Sequence, residues 1–407
     1  MYQHYTEPIP SKQSVSALNR LLFFISDIRH GVGPLLSIHL KNALQWSPAK
    51  VGVALAAIEF SAFLSQIPGG LAADSSNRKR AILALACSLI IVGALMCLFF
   101  SSFTLIIVAQ LLMGICIAFI SPTLGSITMG LFGRKKFPAR VGENELWNHC
   151  GNIFFAITAG FIGFWQGSHW IFIVMICFAI SSLYFLSRIK PHEIHYAAAR
   201  ELAHNEAEPI AISKLLKRSA IVVFNISLMI YYMANGAQIS LVGQILANKE
   251  PSKSALFISA AMIIAEITMA LVAFIMMHIV NRFNRRTFFL IAFTILPIRA
   301  ILYTIVENPY YYLLIQSLDG IAAGILGTLG AVINSDLAID TGRFNFLQGL
   351  GAMSTNIGEA ISQLFAGFIA AYFGFSISFI ALAFTAFLGI AFFAFFMPET
   401  KVTNPEI

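Results

Sequence analysis

Charge is scarce in this 407-residue chain: Asp, Glu, Lys and Arg make up 11% of it, against 58% hydrophobic residues. A domain that faces water needs more charge than that, so an ordinary soluble fold is excluded. Cysteine is sparse too. The five (Cys87, Cys97, Cys116, Cys150, Cys177) form no C-x-x-C pair and all lie in apolar runs. They read as small apolar filler, not as a disulfide framework or a thiolate metal site. There is no Walker sequence, and no Ser/His/Asp or metal-ligand constellation stands out. We therefore expect no metal, no cofactor and no enzymatic site. A signal-peptide layout with a cleavage site is also missing, so the first apolar run is expected to be retained.

What the chain has in abundance is long apolar stretches. Twelve of them, 17–40, 49–73, 81–100, 104–127, 144–164, 169–188, 219–246, 254–280, 287–305, 310–333, 345–371 and 375–397, are each long enough to cross a bilayer core, which takes roughly 20 residues. If they cross in alternation, 20 of the 26 Lys and Arg residues fall on the face shared by the termini. Lys41, Lys50, Lys249 and Lys253 fall on the other face, and Arg29 and Arg299 lie inside spans. Basic loops stay in the cytoplasm. We thus expect both termini to be cytoplasmic, in a bacterial inner (plasma) membrane. The net charge of +7 is confined to such turns, as in Arg78-Lys79-Arg80 and Arg134-Lys135-Lys136. It marks topology, and no nucleic-acid partner is expected.

The longest polar segment, 189–218, splits the spans six and six. Within it Ala197–Ala207 has the spacing of a short amphipathic surface helix, or serves as a solvated linker. The expected organisation is an N-terminal six-helix bundle (1–188), a cytoplasmic linker (189–218) and a C-terminal six-helix bundle (219–407). The halves echo one another. An offset of 207 places Asn77 on Asn284 and Glu59 on Glu266, and 206 places Gln110 on Gln316 and Gly114 on Gly320. An offset of 200 places Gly142 on Gly342 and Gly151 on Gly351. Parallel repeats of this kind put a solute site between the halves near the midplane.

The turn Gly70-Leu-Ala-Ala-Asp74-Ser75-Ser-Asn77-Arg78-Lys79-Arg80, with twelve spans and a central loop, resembles the major facilitator superfamily over essentially the whole chain. The family's turn carries a basic residue where Ser75 stands and a glycine where Asn77 stands. Asn tolerates the left-handed backbone a glycine would supply. The resemblance implies an all-α membrane protein of two pseudo-symmetric six-helix bundles. It also implies a cytoplasmic gating motif at Gly70, Asp74, Arg78 and Lys79. The Arg and Pro-containing motif of the family's drug/proton antiporters are absent from spans four and five, where Gln110 and Gly151 stand. Three local patterns, around Asp27–Pro34, Arg140–Asn152 and Thr341–Gly349, resemble an uncharacterised bacterial branch and imply no substrate.

Function must lie in the polar groups that interrupt the spans, because a charge at mid-membrane costs about 2.5–3.5 kcal/mol and persists only if it faces protein or water. The candidates for a substrate or ion pathway are Asp27, Arg29, Glu59, Asn144, Asn148, His149, Asn152, Glu266, Arg299, Asp319, Gln348, Asn356 and Glu359. Asn144, Asn148 and Asn152 share one stripe of span five, with donors and acceptors suited to a polar solute. Gln348, Asn356, Glu359 and Gln363 share a face of span eleven. At least one carboxylate among Asp27, Glu59, Glu266 and Glu359 couples a proton, or else these are fixed counter-ions of Arg29 and Arg299. The reading is a monomeric secondary transporter working by alternating access in the lipid bilayer. It takes a small polar or amphiphilic organic solute, with H+ as coupling ion. A multidrug or siderophore exporter, and a non-transporting receptor or scaffold on the same fold, remain as alternatives.

Overall fold

A computed structural model describes residues 10–30, 33–195, 210–279, 284–338, 341 and 344–400. They are helical almost throughout, with no strand among the described residues. The fourteen helices are α1 (Lys12–His30), α2 (Gly33–Asn42), α3 (Pro48–Ser75), α4 (Lys79–Phe99), α5 (Phe103–Gln166), α6 (Ile171–Arg188), α7 (Ile212–Leu215), α8 (Ser219–Asn235), α9 (Gln238–Lys249), α10 (Ser254–Ile279), α11 (Arg285–Ile305), α12 (Pro309–Ala338), α13 (Phe344–Phe373) and α14 (Phe375–Phe396). Nine segments of the described residues are individually long and apolar enough to cross a membrane. The first, fifth and eleventh expected spans are not among the nine, and they carry the heaviest polar load.

The seventh expected span is two pieces, α8 and α9, parted at Gly236-Ala237. The first expected span holds α1 and α2, and residues 31–32 between them lie outside the described residues. Spans four and five are the two helical parts of α5, which meet across a kink at Gly133 (φ 71°). Glycine takes that positive φ without the Cβ clash another residue would meet. α5 therefore has two arms, 103–132 and 134–166. The expected surface helix at Ala197–Ala207 lies outside the described residues.

Local signals set the helix ends. Ser47 caps α3, its Oγ accepting from Lys50 N at 3.4 Å, with Pro48 in the first turn. Gly167 (φ 99°) and Gly374 (φ 89°) turn the chain ahead of α6 and α14. These two glycines are 207 residues apart, which is the repeat again. Large apolar side chains such as Phe99, Trp165, Tyr372 and Phe395 project outward from the bundle. That surface is stable only against lipid.

Each half packs on itself. α1 lies on the second arm of α5 and on α6, while α8 lies on α13 and α14. Three seams join the halves: α3 with α13, α5 with α10, and α2 with α9. The end that carries Arg78, Arg188 and Arg285 is termed the basic end here, and the other the far end. At the far end the seams are tight. A Cβ on Gly52 would sit 2.4 Å from Gln363 O, one on Gly160 2.6 Å from Ser259 Oγ, and one on Gly243 2.7 Å from Ser37 Oγ. Asn42 Nδ2 there donates to Pro251 O at 3.1 Å and Ser254 Oγ at 2.9 Å.

At the basic end the contacts that mirror each other lie within each half. Arg80 donates to Leu186 O and Ser187 O, both at the end of α6. Arg286 donates to Ala394 O at the end of α14. Glu193 and Glu399, 206 residues apart, each cap a helix from far along the chain. Glu399 accepts from Arg285 N (3.0 Å) and Arg286 N (3.3 Å) at the start of α11. Glu193 accepts from Ser11 N and Ser11 Oγ, both 3.0 Å, at the start of α1. A carboxylate at a helix N-terminus satisfies free N–H groups and the dipole together.

Burial pushes the Glu193 pKa up, but the Ser11 N–H, the Ser14 and Ser11 hydroxyls and Lys190 outweigh it and hold the carboxyl down at about 2. A carboxyl depressed on folding stabilises the fold above its unfolded pKa and loses that effect as pH falls. Glu193→Gln is therefore expected to lower the melting midpoint at neutral pH. The gap between it and the parent protein should close as pH falls from about 4.5 towards 2. A gap independent of pH would show that the charge is not what holds the segment.

Candidate functional site

The polar groups of the spans resolve into three clusters. The first is on the α3–α13 seam, where the Glu59 and Glu359 carboxyl groups face each other within hydrogen-bonding range across the two halves. Gly236, in the break between α8 and α9, makes room: a Cβ there would stand 3.0 Å from Glu359 Cα. Tyr232 and Asp319 lie on the same side, close enough to feel the Glu359 charge.

The second cluster is on the α5–α10 seam. Glu266 takes His149 Nδ1 at 2.7 Å on one oxygen and Asn152 Nδ2 at 2.8 Å on the other. Along the same stripe Asn148 Nδ2 donates to Glu145 Oε2 at 3.2 Å, and Asn144 Nδ2 to Thr128 Oγ1 at 3.1 Å. All three asparagines are under a tenth exposed, and each Oδ1 is buried with no hydrogen-bond donor among the described residues. A buried polar group left unpaired costs about 1–3 kcal/mol, so three on one stripe call for an explanation.

The third cluster is inside the C-terminal half. Arg299, 1% exposed, forms a salt bridge with Asp319 and donates to Gln238 Oε1 at 2.9 Å and Asn235 Oδ1 at 2.7 Å. Gln316 Nε2 donates to the other Asp319 oxygen at 2.7 Å, and Gln316 Oε1 accepts from the Tyr303 hydroxyl at 2.7 Å. Asn235 and Gln238 flank the span-seven break. Arg299 thus fastens the ends of two helix fragments to α12. Sequence reasoning missed Asn235, Gln238, Gln316 and Tyr303. The signal was the Asn235-Gly236 pair inside an apolar run, a helix-breaking dipeptide.

The alternative that made Arg299 a fixed counter-ion of Glu59, Glu266 or Glu359 is not met: its carboxylate partner is Asp319. The span-eleven face also divides. Glu359 meets α3, Gln363 donates to Gly236 O (2.9 Å) and Ser240 Oγ (3.2 Å), and Gln348 accepts from Asn334 at 2.8 Å. Asn356 is half-buried on the same helix. In the turn after α3, Lys79 is fully buried and donates to Ala73 O, which closes the helix end. Arg78 stands exposed at the start of α4, and Gly70 faces open space. The Asp27, Arg29 and Asp74 side chains lie outside the described residues.

The contacts also settle the repeat register. Gly114 abuts Ile58 and Ser61, and Gly320 abuts Ala265 and Thr268, so Ile58 and Ser61 correspond to Ala265 and Thr268. Gly151 abuts Phe23, and Gly358 abuts Met229. Gly52 meets Gly367 just as Ser259 meets Gly160. The offset is 207 for spans two and five. The offset of 200 that matched Gly151 with Gly351 is therefore wrong: Gly151 corresponds to Gly358. It follows that Glu59 corresponds to Glu266, and Asn152 to Glu359. The two mid-depth seams are thus the same contact in two versions, acid against acid and acid against amide.

Two repeat-related bundles joined by three helix seams, with ionisable groups at mid-depth and a lipid-facing surface, define a two-bundle membrane transporter fold. Sequence comparison agrees. The chain matches the Major Facilitator Superfamily over residues 16–246 and 224–407. It is 32% identical over 395 residues to an uncharacterised MFS-type transporter of Mycobacterium tuberculosis (strain H37Rv), covering 96% of this chain and 94% of the relative. Solved structures share the fold. A POT family transporter in complex with a thioalcohol-conjugated peptide superposes with TM-score 0.77 at 14% identity, over 94% of this chain and 97% of that one. The nucleoside transporter NupG (D323A mutant) gives 0.75 at 14%, over 93% and 98%. A bacterial homologue of the human lysosomal transporter Spinster, inward-facing and unoccupied, gives 0.72 at 15%, over 94% and 97%. The chain belongs to the Major Facilitator Superfamily. It is an integral membrane protein and a secondary transporter of small molecules, not an enzyme.

Proposed function

We propose that this transporter moves a small polar or amphiphilic organic solute by alternating access and couples it to protons at Glu59 and Glu359. The observation that carries the reading is the meeting of these two carboxyl groups across the halves. A hydrogen bond between two carboxyl groups needs a proton on one of them. Parting the halves at this seam breaks the bond and exposes both groups, so the proton can leave on whichever side has opened. One charge falling through 100 mV supplies about 2.3 kcal/mol, enough to concentrate a solute tens-fold.

The tight far-end seams support a state that opens towards the basic end. The distribution of Lys and Arg supports placing that end in the cytoplasm of a bacterial cell, with both termini there. The repeat-related bundles close one pathway within one chain, which supports a monomeric unit.

The test uses proteoliposomes and a solute selected by a thermal-shift screen of metabolites. Glu59→Gln and Glu359→Gln, which keep a hydrogen bond but drop the ionisable group, are each expected to cut pH-gradient-driven uptake about tenfold or more. Exchange of labelled for unlabelled solute, which needs no net proton movement, should survive. If both variants keep full gradient-driven uptake, the pair does not carry the proton.

A further inference from the structure

The hydrogen bonding along the second arm of α5 is one-sided. Asn144, Asn148 and Asn152 each donate one Nδ2 N–H to a protein acceptor, Thr128, Glu145 and Glu266. Each Oδ1 remains buried and accepts from nothing among the described residues. For Asn148 and Asn152 a carboxylate partner fixes which end of the amide is nitrogen, because a carboxylate only accepts. Turning the amide over therefore cannot relieve the oxygens. Opposite Gly160 on the same seam, Ser259 Oγ is likewise buried and unpartnered.

What is left over is a row of acceptors. Residues four apart on a helix lie on one stripe with a rise of about 6 Å. The row ends at Glu266, a carboxylate held by Asn152 and His149. Each Nδ2 keeps a second N–H, but every Oδ1 lacks a donor, so acceptors are what the stripe leaves unsatisfied among the described residues. An anionic group placed there would face the Glu266 carboxylate. A group made of donors fits: an ammonium has three N–H bonds and no lone pair, and its charge faces Glu266.

We propose that the Asn144–Asn148–Asn152 stripe with Glu266 is a recognition site for a cationic solute rich in hydrogen-bond donors. A primary ammonium sits against Asn152 and Glu266, and a second amine donates to Asn148 about 6 Å away. This names the substrate class of the transporter proposed above and rests on that reading. Asn152 and Glu266 meet on the α5–α10 seam between the halves, so the parting of that seam in transport uncovers this end of the stripe. It is distinct from the Glu59–Glu359 pair: on the repeat-related seam, Asn152 replaces Glu359, a neutral acceptor and donor in place of an acid.

The experiment measures equilibrium binding to the purified full-length protein in detergent, by calorimetry. The probes are 1,4-diaminobutane, whose nitrogens are spaced like the stripe, 1,4-butanediol, which keeps the spacing without the charge, and succinate, which inverts the charge. Only the diamine is expected to bind. Asn148→Leu and Asn152→Leu are each expected to weaken it about tenfold or more. Glu266→Gln, which can still accept from His149 and Asn152, should do the same by removing charge alone. The melting midpoint of each unliganded variant reports whether it has folded, and the three-probe comparison on the parent protein needs no variant. Diol or succinate binding as tightly as the diamine, no diamine binding, or unchanged binding in both leucine variants would overturn the proposal. Because binding needs no proton gradient, failure here leaves the Glu59–Glu359 experiment standing, and failure there leaves this one intact.

Discussion

Arg299→Met is expected to remove about 3–5 kcal/mol of stability, among the largest losses a single side chain of this protein can cause. The arginine is 1% exposed and serves three acceptors: Asp319, Gln238 and Asn235. Methionine fills much of the volume but donates nothing. It leaves an aspartate and two amide oxygens facing one another in a dry interior, and an unpaired charge there is worse than an unpaired dipole. The melting midpoint of the purified protein should fall on the order of 10 °C. Arg299→Lys is expected to fall between, since one ammonium cannot reproduce a planar fork bound on several sides. Arg299→Met combined with Asp319→Leu should recover most of the loss, because removing both charges leaves no orphan. If Arg299→Met melts with the parent protein, the span-seven fragments are held by packing and the ion pair is incidental.

The outline of this protein was legible in the chain, but its pairings were not. Runs of about 20 apolar residues report a bilayer whatever they pack against, so the all-helical membrane fold and the superfamily could be read directly. The list of polar interruptions was readable as well, since each violates the solvent it sits in. The partner of each polar group was not. Glu59 and Glu266 were matched by depth, correctly, yet they never meet. One faces Glu359 across one seam and the other faces His149 and Asn152 across another. Which helix faces which follows from the docking of the two halves, and no periodicity within a helix encodes that.

The misplaced register of Gly151 has a similar origin. Glycines are common in membrane helices, so a match between two of them fixes nothing until the carbonyl against each is known. The break in span seven was missed because its flanks are apolar, although Asn235-Gly236 marked it. The unpartnered oxygens of the asparagine stripe were invisible for a simpler reason. A sequence shows that an amide has two donors and an acceptor, but not which of them the fold has already used.

The close-packed glycines give the second large effect, and they tie the fold to its repeat. A Cβ at Gly114 would lie 2.0 Å from Ile58 O and 2.1 Å from Ser61 Oγ. One at Gly151 would lie 2.0 Å from Phe23 O. Their counterparts Gly320 and Gly358 would each place it 2.4 Å from a carbonyl oxygen, of Ala265 and Met229. The obstacle in each case includes backbone, so no rotamer change clears it. The helices must move apart by about 1 Å for alanine, and further for valine, against the small tolerance of a packed interior. Gly114→Val and Gly151→Val are therefore expected to yield no monodisperse protein on size exclusion. The alanine variants should lose on the order of 3 kcal/mol. Gly320→Ala and Gly358→Ala, with about 0.4 Å more room, should lose less than the Gly114 and Gly151 variants. Gly327 and Gly330 continue the same stripe of α12 but face open space, so alanine there should leave the melting midpoint unchanged. An equal penalty at Gly327 and Gly114 would show that glycine acts through backbone flexibility and not through close approach. The predicted ordering follows from geometry alone: α3 must lie on the first arm of α5, and α1 on the second, at backbone contact. Only then do Glu59 and the Asn144–Asn152 stripe reach the seams where they meet the other half.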